Sequence, residues 1–312
     1  DARIYELIPD GNNFVDFNRP IAERNTALAD GSFGKNTLYK KFGGFAQVTK
    51  TFFNEKLKLN GSLRADYNPE FTAKLTPRIA AVYPFKENQN FRLTFQQGYR
   101  FPALFEALSY VNNGRVKRVG ILPVINEGLG FRENSYTQSS VATFNAAVKA
   151  AGNTDAAALA NRNLLQAANL PDGKPEGIKS FEVGYKTVLF DNKVIIDADA
   201  YLNIYEGFLG QVQVFVPIGE TIVSDSSVIA MIDRNRDAQP AQPANTNTNT
   251  PATAASNGQE RYRVYTNAKN TYTAYGSSLG VTYNFYKTFA VSGNVNYNDI
   301  NNNKNKDLFV TG

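Results

Sequence analysis

Large apolar side chains alternate with small or polar ones along much of the chain, and residues 90–102 show the pattern clearly. One set of positions there is mostly apolar and comprises Phe91, Leu93, Phe95, Gln97 and Tyr99. The other set is polar or small and comprises Arg92, Thr94, Gln96, Gly98 and Arg100. Because successive side chains of a strand point to opposite sides, this period of two predicts a β-strand with one apolar and one polar face.

The same alternation predicts about nine strands in all. Besides 90–102 they cover residues 39–53, 56–67, 71–85, 178–190, 194–205, 261–285 and 288–298, and 194–205 could extend through 211–216. The Gly43-Gly44 pair predicts a bulge or bend in the first of these strands. Residues 1–37 are polar and rich in Gly and Asn, which predicts a long loop.

The predicted connections fall into two classes that alternate along the chain. Tight turns at 54–55, 86–89, 191–193 and 286–287 alternate with longer connections at 68–70, 103–177, 217–260 and from 299 onward. All tight turns therefore lie at one end of the sheet, which is typical of an outer-membrane β-barrel. A soluble sandwich gives no reason for such segregation. The predicted fold class is all-β, a transmembrane antiparallel barrel with long loops at one end.

Two long excursions interrupt the strands. Within 103–177, the Ala-rich stretches 139–151 and 154–168 predict two short surface helices. Their N-caps are expected at Ser139 or Ser140 and at Asn153 or Thr154. Within 217–260, residues 238–257 have a low-complexity Pro, Ala, Asn and Thr composition that predicts no folded structure. Tyr and Phe near strand ends are predicted to form interfacial girdles.

The amino-acid composition argues against several classes of function. The sequence has no Cys and no His, so disulfides, thiolate metal sites and most acid–base mechanisms are excluded. Its net charge is +5, but the Lys and Arg residues are scattered rather than clustered, which argues against a nucleic-acid partner. No run approaches the roughly 18 apolar residues of a membrane-spanning helix. No signal peptide is recognised, and the abrupt ends predict an internal piece of a longer protein.

Three stretches together resemble the barrel of TonB-dependent outer-membrane receptors. In chain order they are 75–83 with 91–104, then Pro175-Glu176 with 180–186 and 196–205, and finally Asn267 with 276–283 and 291–297. The first contains a Pro-Arg step before an apolar run, followed by the segment that ends in Gly98-Tyr99-Arg100-Phe101-Pro102. The three stretches cover about half of the chain, in the order that the family shows.

The resemblance implies a barrel of about 22 strands. It also implies an N-terminal plug domain, energy supplied by TonB, and import of a bulky nutrient across the bacterial outer membrane. The plug, a TonB box and the closing C-terminal strands are not found, so residues 1–312 are expected to be a barrel segment. The Asn-rich loops favour the SusC-like branch, whose members take up glycans or peptides together with a surface lipoprotein resembling SusD.

Polar side chains on the predicted water-facing side of the strands are candidates for contact with the plug or with a solute. They are Arg64, Asp66, Arg78, Arg92, Gln96, Arg100, Asp197, Asp199 and Asn203. For any one of them, an ion pair with another residue on the same water-facing surface is the simpler interpretation. At the extracellular rim, Phe101, Phe105 and Tyr110 could form a ligand platform, although girdle aromatics explain them equally simply.

Catalysis and metal binding have weaker support. Asp197 and Asp199 share a strand face about 6.6 Å apart by rise alone, a spacing that glycosidase carboxylates also show. No further acid or base accompanies them, so a non-enzyme is expected, with no cofactor. Asp233 and Asp237 are separated by two arginines and lack the Gly and Glu of a calcium loop, which predicts a solvated loop.

Two other functions fit the same pattern. A passive porin, or a structural barrel subunit of an envelope assembly, would show the same strands without a plug. A soluble β-rich adhesin or lectin would show them without requiring lipid. The barrel interpretation, with lipid as the partner of the apolar face, is preferred because the tight turns lie at one end.

Overall fold

Strands dominate the computed structural model, which describes residues 1–112, 116–233, 258–286 and 288–301. In chain order the strands are β1 (Ala2–Leu7), β2 (Thr37–Phe52), β3 (Leu57–Asn68), β4 (Phe71–Lys86), β5 (Gln89–Arg100), β6 (Tyr110–Asn112), β7 (Lys117–Val119), β8 (Tyr136–Thr137), β9 (Glu176–Leu189), β10 (Val194–Glu206), β11 (Leu209–Pro217), β12 (Gln259–Asn267), β13 (Tyr272–Tyr286) and β14 (Phe289–Asn301). The helices are α1 (Leu104–Leu108), α2 (Pro123–Asn126), α3 (Gln138–Ala150), α4 (Asp155–Ala160) and α5 (Asp225–Ala230).

The long strands form one sheet in the order β1-β2-β3-β4-β5-β9-β10-β13-β14. Every neighbouring pair is antiparallel. Within the described residues the sheet stays open, with β1 and β14 at its edges. The predicted all-β class and antiparallel order are confirmed.

One face of this sheet is covered with large apolar side chains that are open to the surroundings. Leu63, Ile79 and Leu93 have 50%, 56% and 62% of their surface exposed. Aromatic rings pair across strands on the same face, with Phe91 and Tyr185 centred 4.9 Å apart. A water-soluble sheet would bury such a face, so this exposure is what lipid contact requires.

The tight turns cluster at one end of the sheet, as predicted. They occupy 53–56, 87–88, 190–193 and the link between β13 and β14. Exposed aromatics flank them, including Phe85 and Phe91 with ring centres 6.0 Å apart. The connection at Pro69-Glu70 differs from the expectation, because two residues suffice to join β3 to β4 at the long-loop end. The side-chain oxygen of Asn68 accepts a hydrogen bond from the Glu70 N–H and closes that turn.

The long connections pack together into a body that we call the loop cap, comprising the described parts of 8–36, 101–175 and 207–271. It contains a second sheet in the order β6-β7-β12-β11-β8, in which β7 and β12 run parallel. Its apolar core includes Val119, Phe131, Val214, Tyr262 and Val264. A second cluster joins α3, α4 and α5 through Phe144, Ala158 and Val228. The buried core of the chain therefore lies mainly in its loops.

Several predicted boundaries were wrong because the loop cap was not foreseen. Residues 2–7 form β1 rather than loop, since they pair with β2. Residues 211–216 do not continue β10, because the chain turns at Gly207, whose φ is +62°. The predicted strand 261–285 is two strands, β12 in the cap and β13 in the large sheet. Residues 238–257 lie outside the described part of the chain.

The two predicted helices exist, with changed limits. α3 begins after Thr137, whose hydroxyl accepts the Ser140 N–H, so neither Ser139 nor Ser140 is its N-cap. α4 is capped by Thr154 as expected but ends at Ala160, short of the predicted residue 168. No described helix is long and apolar enough to cross a membrane.

An arginine scan of β5 separates the two faces. Leu93→Arg should lower the free energy of unfolding by about 2–4 kcal/mol, because the charge would meet hydrocarbon near the midplane. Thr94→Arg should change it little, since residue 94 faces water. Denaturant titration of the full-length protein in lipid vesicles measures both. Equal losses would contradict the face assignment.

Candidate functional site

The nine predicted lumen residues lie on one face of the large sheet, which we call the lumen wall. Arg78 is paired with Gln96, Gln96 with Ser180, and Ser180 with Asn203. Directly paired residues of an antiparallel sheet point to the same side, and residues two apart on a strand share a face. The shared face is therefore confirmed for Arg64, Asp66, Arg78, Arg92, Gln96, Arg100, Asp197, Asp199 and Asn203. Their contact with a plug or solute stays a prediction.

Arg92 reaches across a whole strand to form an ion pair. Its Nη2 lies 2.9 Å from Oδ1 of Asp197, although β9 separates the two strands that carry them. β9 places Gly184 opposite Arg92, and a Cβ there would lie only 2.9 Å from the Arg92 Nε. The glycine therefore leaves the space that the guanidinium occupies. Lys186 adds a second cation, 3.8 Å from Asp197.

Arg64 and Asp66 form a bidentate ion pair on β3. The Nε and Nη2 atoms of Arg64 lie 2.7 Å and 2.6 Å from the carboxylate oxygens of Asp66. This pair lies over Gly43 of β2, where a Cβ would come within 2.2 Å of Asp66 Oδ1. The predicted bulge at Gly43-Gly44 is wrong, because both residues pair in unbroken register with β3. Gly43 instead provides room for a close approach.

A second contact that crosses a whole strand was missed in the sequence. The Tyr201 hydroxyl on β10 donates a 2.6 Å hydrogen bond to Oδ1 of Asn298 on β14, across the intervening β13. β13 places Gly276 between them, and a Cβ there would lie 2.8 Å from the Tyr201 hydroxyl. In the sequence, the available signal for this contact was a glycine on the water-facing side of a central strand.

The remaining wall candidates are not gathered into a catalytic centre. Asp199 accepts a hydrogen bond from Ser278, whereas Asp197 pairs with Arg92, so the two carboxylates have separate partners. Asn203 has a buried Oδ1 with no hydrogen-bond partner among the described residues. Arg78 and Gln96 are exposed on the wall. Half-exposed ion pairs of this type contribute about 0–1 kcal/mol each, so they shape the charge of the wall more than its stability.

Arg100 connects the wall to the loop cap. Its guanidinium lies 2.7 Å from Glu106 of α1 and 2.7 Å from Glu176 at the start of β9. Beside it, Pro102 accepts hydrogen bonds through its carbonyl from the Tyr39 hydroxyl at 2.9 Å and from Lys41 at 3.2 Å. The chain leaving β5 is therefore held against β2 and β9.

The three rim aromatics do not form an exposed platform. Phe101 and Tyr110 are only 8% and 3% exposed, and Phe101 stacks on Phe71 with ring centres 5.7 Å apart. Phe105 is half-buried and packs edge-on against Phe14. The chain turns back into α1 after Pro102, so these rings pack against the protein. Of the three, Tyr110 belongs to the cap core.

Metal binding finds no support in the described part of the chain. No group of three or more acidic side chains there is placed to hold a metal ion. Of the predicted solvated loop at 233–237, only Asp233 is described, and its N–H donates to Asn145.

A family profile described as "TonB dependent receptor-like, beta-barrel" matches residues 5–312. The chain belongs to this family. Its location is accordingly the outer membrane of Gram-negative bacteria. The SusC-like branch stays a prediction.

Solved receptor structures share the barrel fold. The ferric enterobactin receptor PfeA of Pseudomonas aeruginosa, in a mutant form, superposes with a TM-score of 0.51 at 10% identity, covering 95% of this chain and 31% of its own. PfeA in complex with BCV-L6 gives 0.51 at 12% identity, covering 95% and 32%. The siderophore receptor PirA of Pseudomonas aeruginosa gives 0.47 at 11% identity, covering 85% and 35%. The chain thus spans about a third of these receptors' length. No curated protein matches its sequence.

Neighbouring glycines test the role of the gap beneath the Arg64–Asp66 pair. Gly43→Ala should destabilise the full-length receptor by about 1–3 kcal/mol, because the new methyl group overlaps Asp66. Gly44→Ala is the matched control, since its Cβ would meet no atom within 4 Å, and it should be neutral or slightly stabilising. Denaturant titration in vesicles measures both changes. Similar values for the two variants would show that Gly43 is not needed for close approach.

Proposed function

We propose that this chain is part of the barrel of a TonB-dependent receptor that imports a bulky nutrient. The observation that carries the proposal is the contrast between the two faces of the sheet. One face exposes Leu63, Ile79 and Leu93, whereas the other carries the Arg92–Asp197 and Arg64–Asp66 pairs. An apolar outside with a charged inside suits a wall between lipid and a wet lumen.

The loop cap supports uptake of a selected solute over free diffusion. A passive porin needs an open mouth, whereas the long connections here fold into a packed body with its own core. Arg100 of the wall is linked to that body by its ion pair with Glu106 of α1. Folded loops on a rigid barrel are a common way to position ligand contacts. Substrate classes in keeping with this reading are an oligosaccharide, a peptide or a metal chelate.

The partners follow from the same proposal. Lipid covers the apolar face, a plug domain contacts the lumen wall, and TonB supplies energy through a part of the protein outside residues 1–312. A SusD-like surface lipoprotein would join if the substrate is a glycan or peptide. The lumen candidates then act in solute or plug contact and not in bond chemistry.

Uptake and conductance together test the proposal. Cells expressing the full-length receptor should take up one member of a panel comprising an oligosaccharide, a peptide and a ferric chelate. That uptake should fall to background when TonB is deleted, because a plugged barrel needs energy to open. The purified receptor should show no steady conductance in a planar bilayer. Uptake that survives loss of TonB, together with a steady open-channel current, would instead indicate a passive porin.

A further inference from the structure

A cleft of about 460 Å³ opens within the loop cap. None of the nine lumen-wall candidates lines it, so it is separate from the wall described above. Ile21 contributes from the first loop, Leu129 from the turn after α2, and Val216 from the end of β11. Its volume lies in the range of small-molecule sites, which are typically apolar with a few placed polar groups.

The floor of the cleft holds a polar cluster with little exposure. Lys117 of β7 places its Nζ 2.7 Å and 2.8 Å from the two oxygens of Glu260. The Tyr262 hydroxyl donates a 2.6 Å hydrogen bond to the same carboxylate. Burial, and then the Glu260 carboxylate, raise the pKa of Tyr262 well above its ordinary value, so the phenol stays a donor. The Lys117 and Glu260 charges cancel each other.

A third charged group at the cleft, Glu220, has no oppositely charged partner among the described residues. Glu220 is half-buried, and no Lys or Arg of the described residues forms an ion pair with it. Among the described residues its carboxylate accepts one hydrogen bond, a long one of 3.4 Å from the Ser224 hydroxyl. The backbone here is fixed, because Asn134 donates to the Glu220 carbonyl at 2.6 Å and accepts from the Ile222 N–H at 2.6 Å. Within the described part of the chain, Glu220 is therefore a carboxylate on a fixed backbone with no cation paired to it.

Apart from Asn134 and Thr221, the rest of the cleft is lined by apolar side chains and by glycines. Ile218 has 40% of its surface exposed beside Pro217 and Val216. Gly130 and Gly219 line the cleft with φ of +70° and +72°, and a Cβ on either would meet no other atom within 4 Å. Open space thus lies between an apolar wall and a single unpaired carboxylate. That combination favours a ligand with an apolar body and one positive charge.

We propose that this cleft binds a small organic cation, a primary amine carried on an apolar body. The ammonium group pairs with Glu220, and the apolar body lies against Val216, Pro217 and Ile218. The neutral Lys117–Glu260 pair adds no net charge, so an anion of the same shape is repelled by Glu220. This binding concerns the cap alone and does not depend on the import proposed above.

Three matched probes test the proposal on the full-length receptor in detergent. They are 2-phenylethylamine, 2-phenylethanol and 3-phenylpropionate, which share a ring and differ in charge. Calorimetric titration should show that the amine binds at least about tenfold more tightly than the alcohol, since one partly desolvated ion pair can supply that difference. The carboxylate should bind most weakly.

Variants assign the preference to Glu220. Glu220→Gln keeps the shape and should bring the amine to the affinity of the alcohol. Thr221→Lys, at an exposed position of the cleft, should produce the same loss by supplying a competing cation. Glu87→Gln, in the exposed turn between β4 and β5, is the control and should leave all three affinities unchanged. Equal binding of the three probes, no binding of the amine, or an unchanged preference in both cleft variants would overturn the proposal.

Discussion

Backbone pairing in a medium without water is the constraint on which the structure depends. Each unpaired N–H or C=O in hydrocarbon is costly, so the long strands pair side by side from β1 to β14. Once the backbone is satisfied in this way, the side chains are free to differ between the two faces. The apolar set meets lipid, and the polar set forms a wall on the lumen side. The hydrophobic effect, which normally builds a core between layers, instead operates at the long-loop end.

The polar contacts of the lumen wall depend on glycines, because glycine has no side chain to obstruct them. Gly43, Gly184 and Gly276 each lie beneath a polar contact that a Cβ would obstruct. The contacts over Gly184 and Gly276 span three strands, so they tie the wall together beyond its nearest-neighbour pairing. A half-exposed ion pair contributes little to stability. Its more important effect is to fix where each charge lies on the polar face of the sheet.

The sequence predicted what depends on local periodicity. The alternation in β3 and β5 and the shared face of the nine wall residues follow from a period of two. The tight-turn end follows from the alternation of short and long connections along the chain. The loop cap could not be predicted in this way, because Phe101 and Tyr110 are buried by contacts with residues far away in the chain. The same limit explains why β12 and β13 were read as one strand, since both alternate while belonging to different sheets. The cleft at Glu220 depends on three separate loops and carries no local signal.

Site-directed spin labelling of β5 tests the central claim most directly, and the absence of cysteine from residues 1–312 simplifies it. Single labels at positions 91 to 96 of the full-length receptor in lipid vesicles would be exposed to oxygen and to a water-soluble nickel complex. Labels at positions 91, 93 and 95 should collide with oxygen. Labels at positions 92, 94 and 96 should collide with the nickel complex or be shielded from both reagents by the wall. Collisions with oxygen that show no period of two would contradict a strand standing between lipid and lumen.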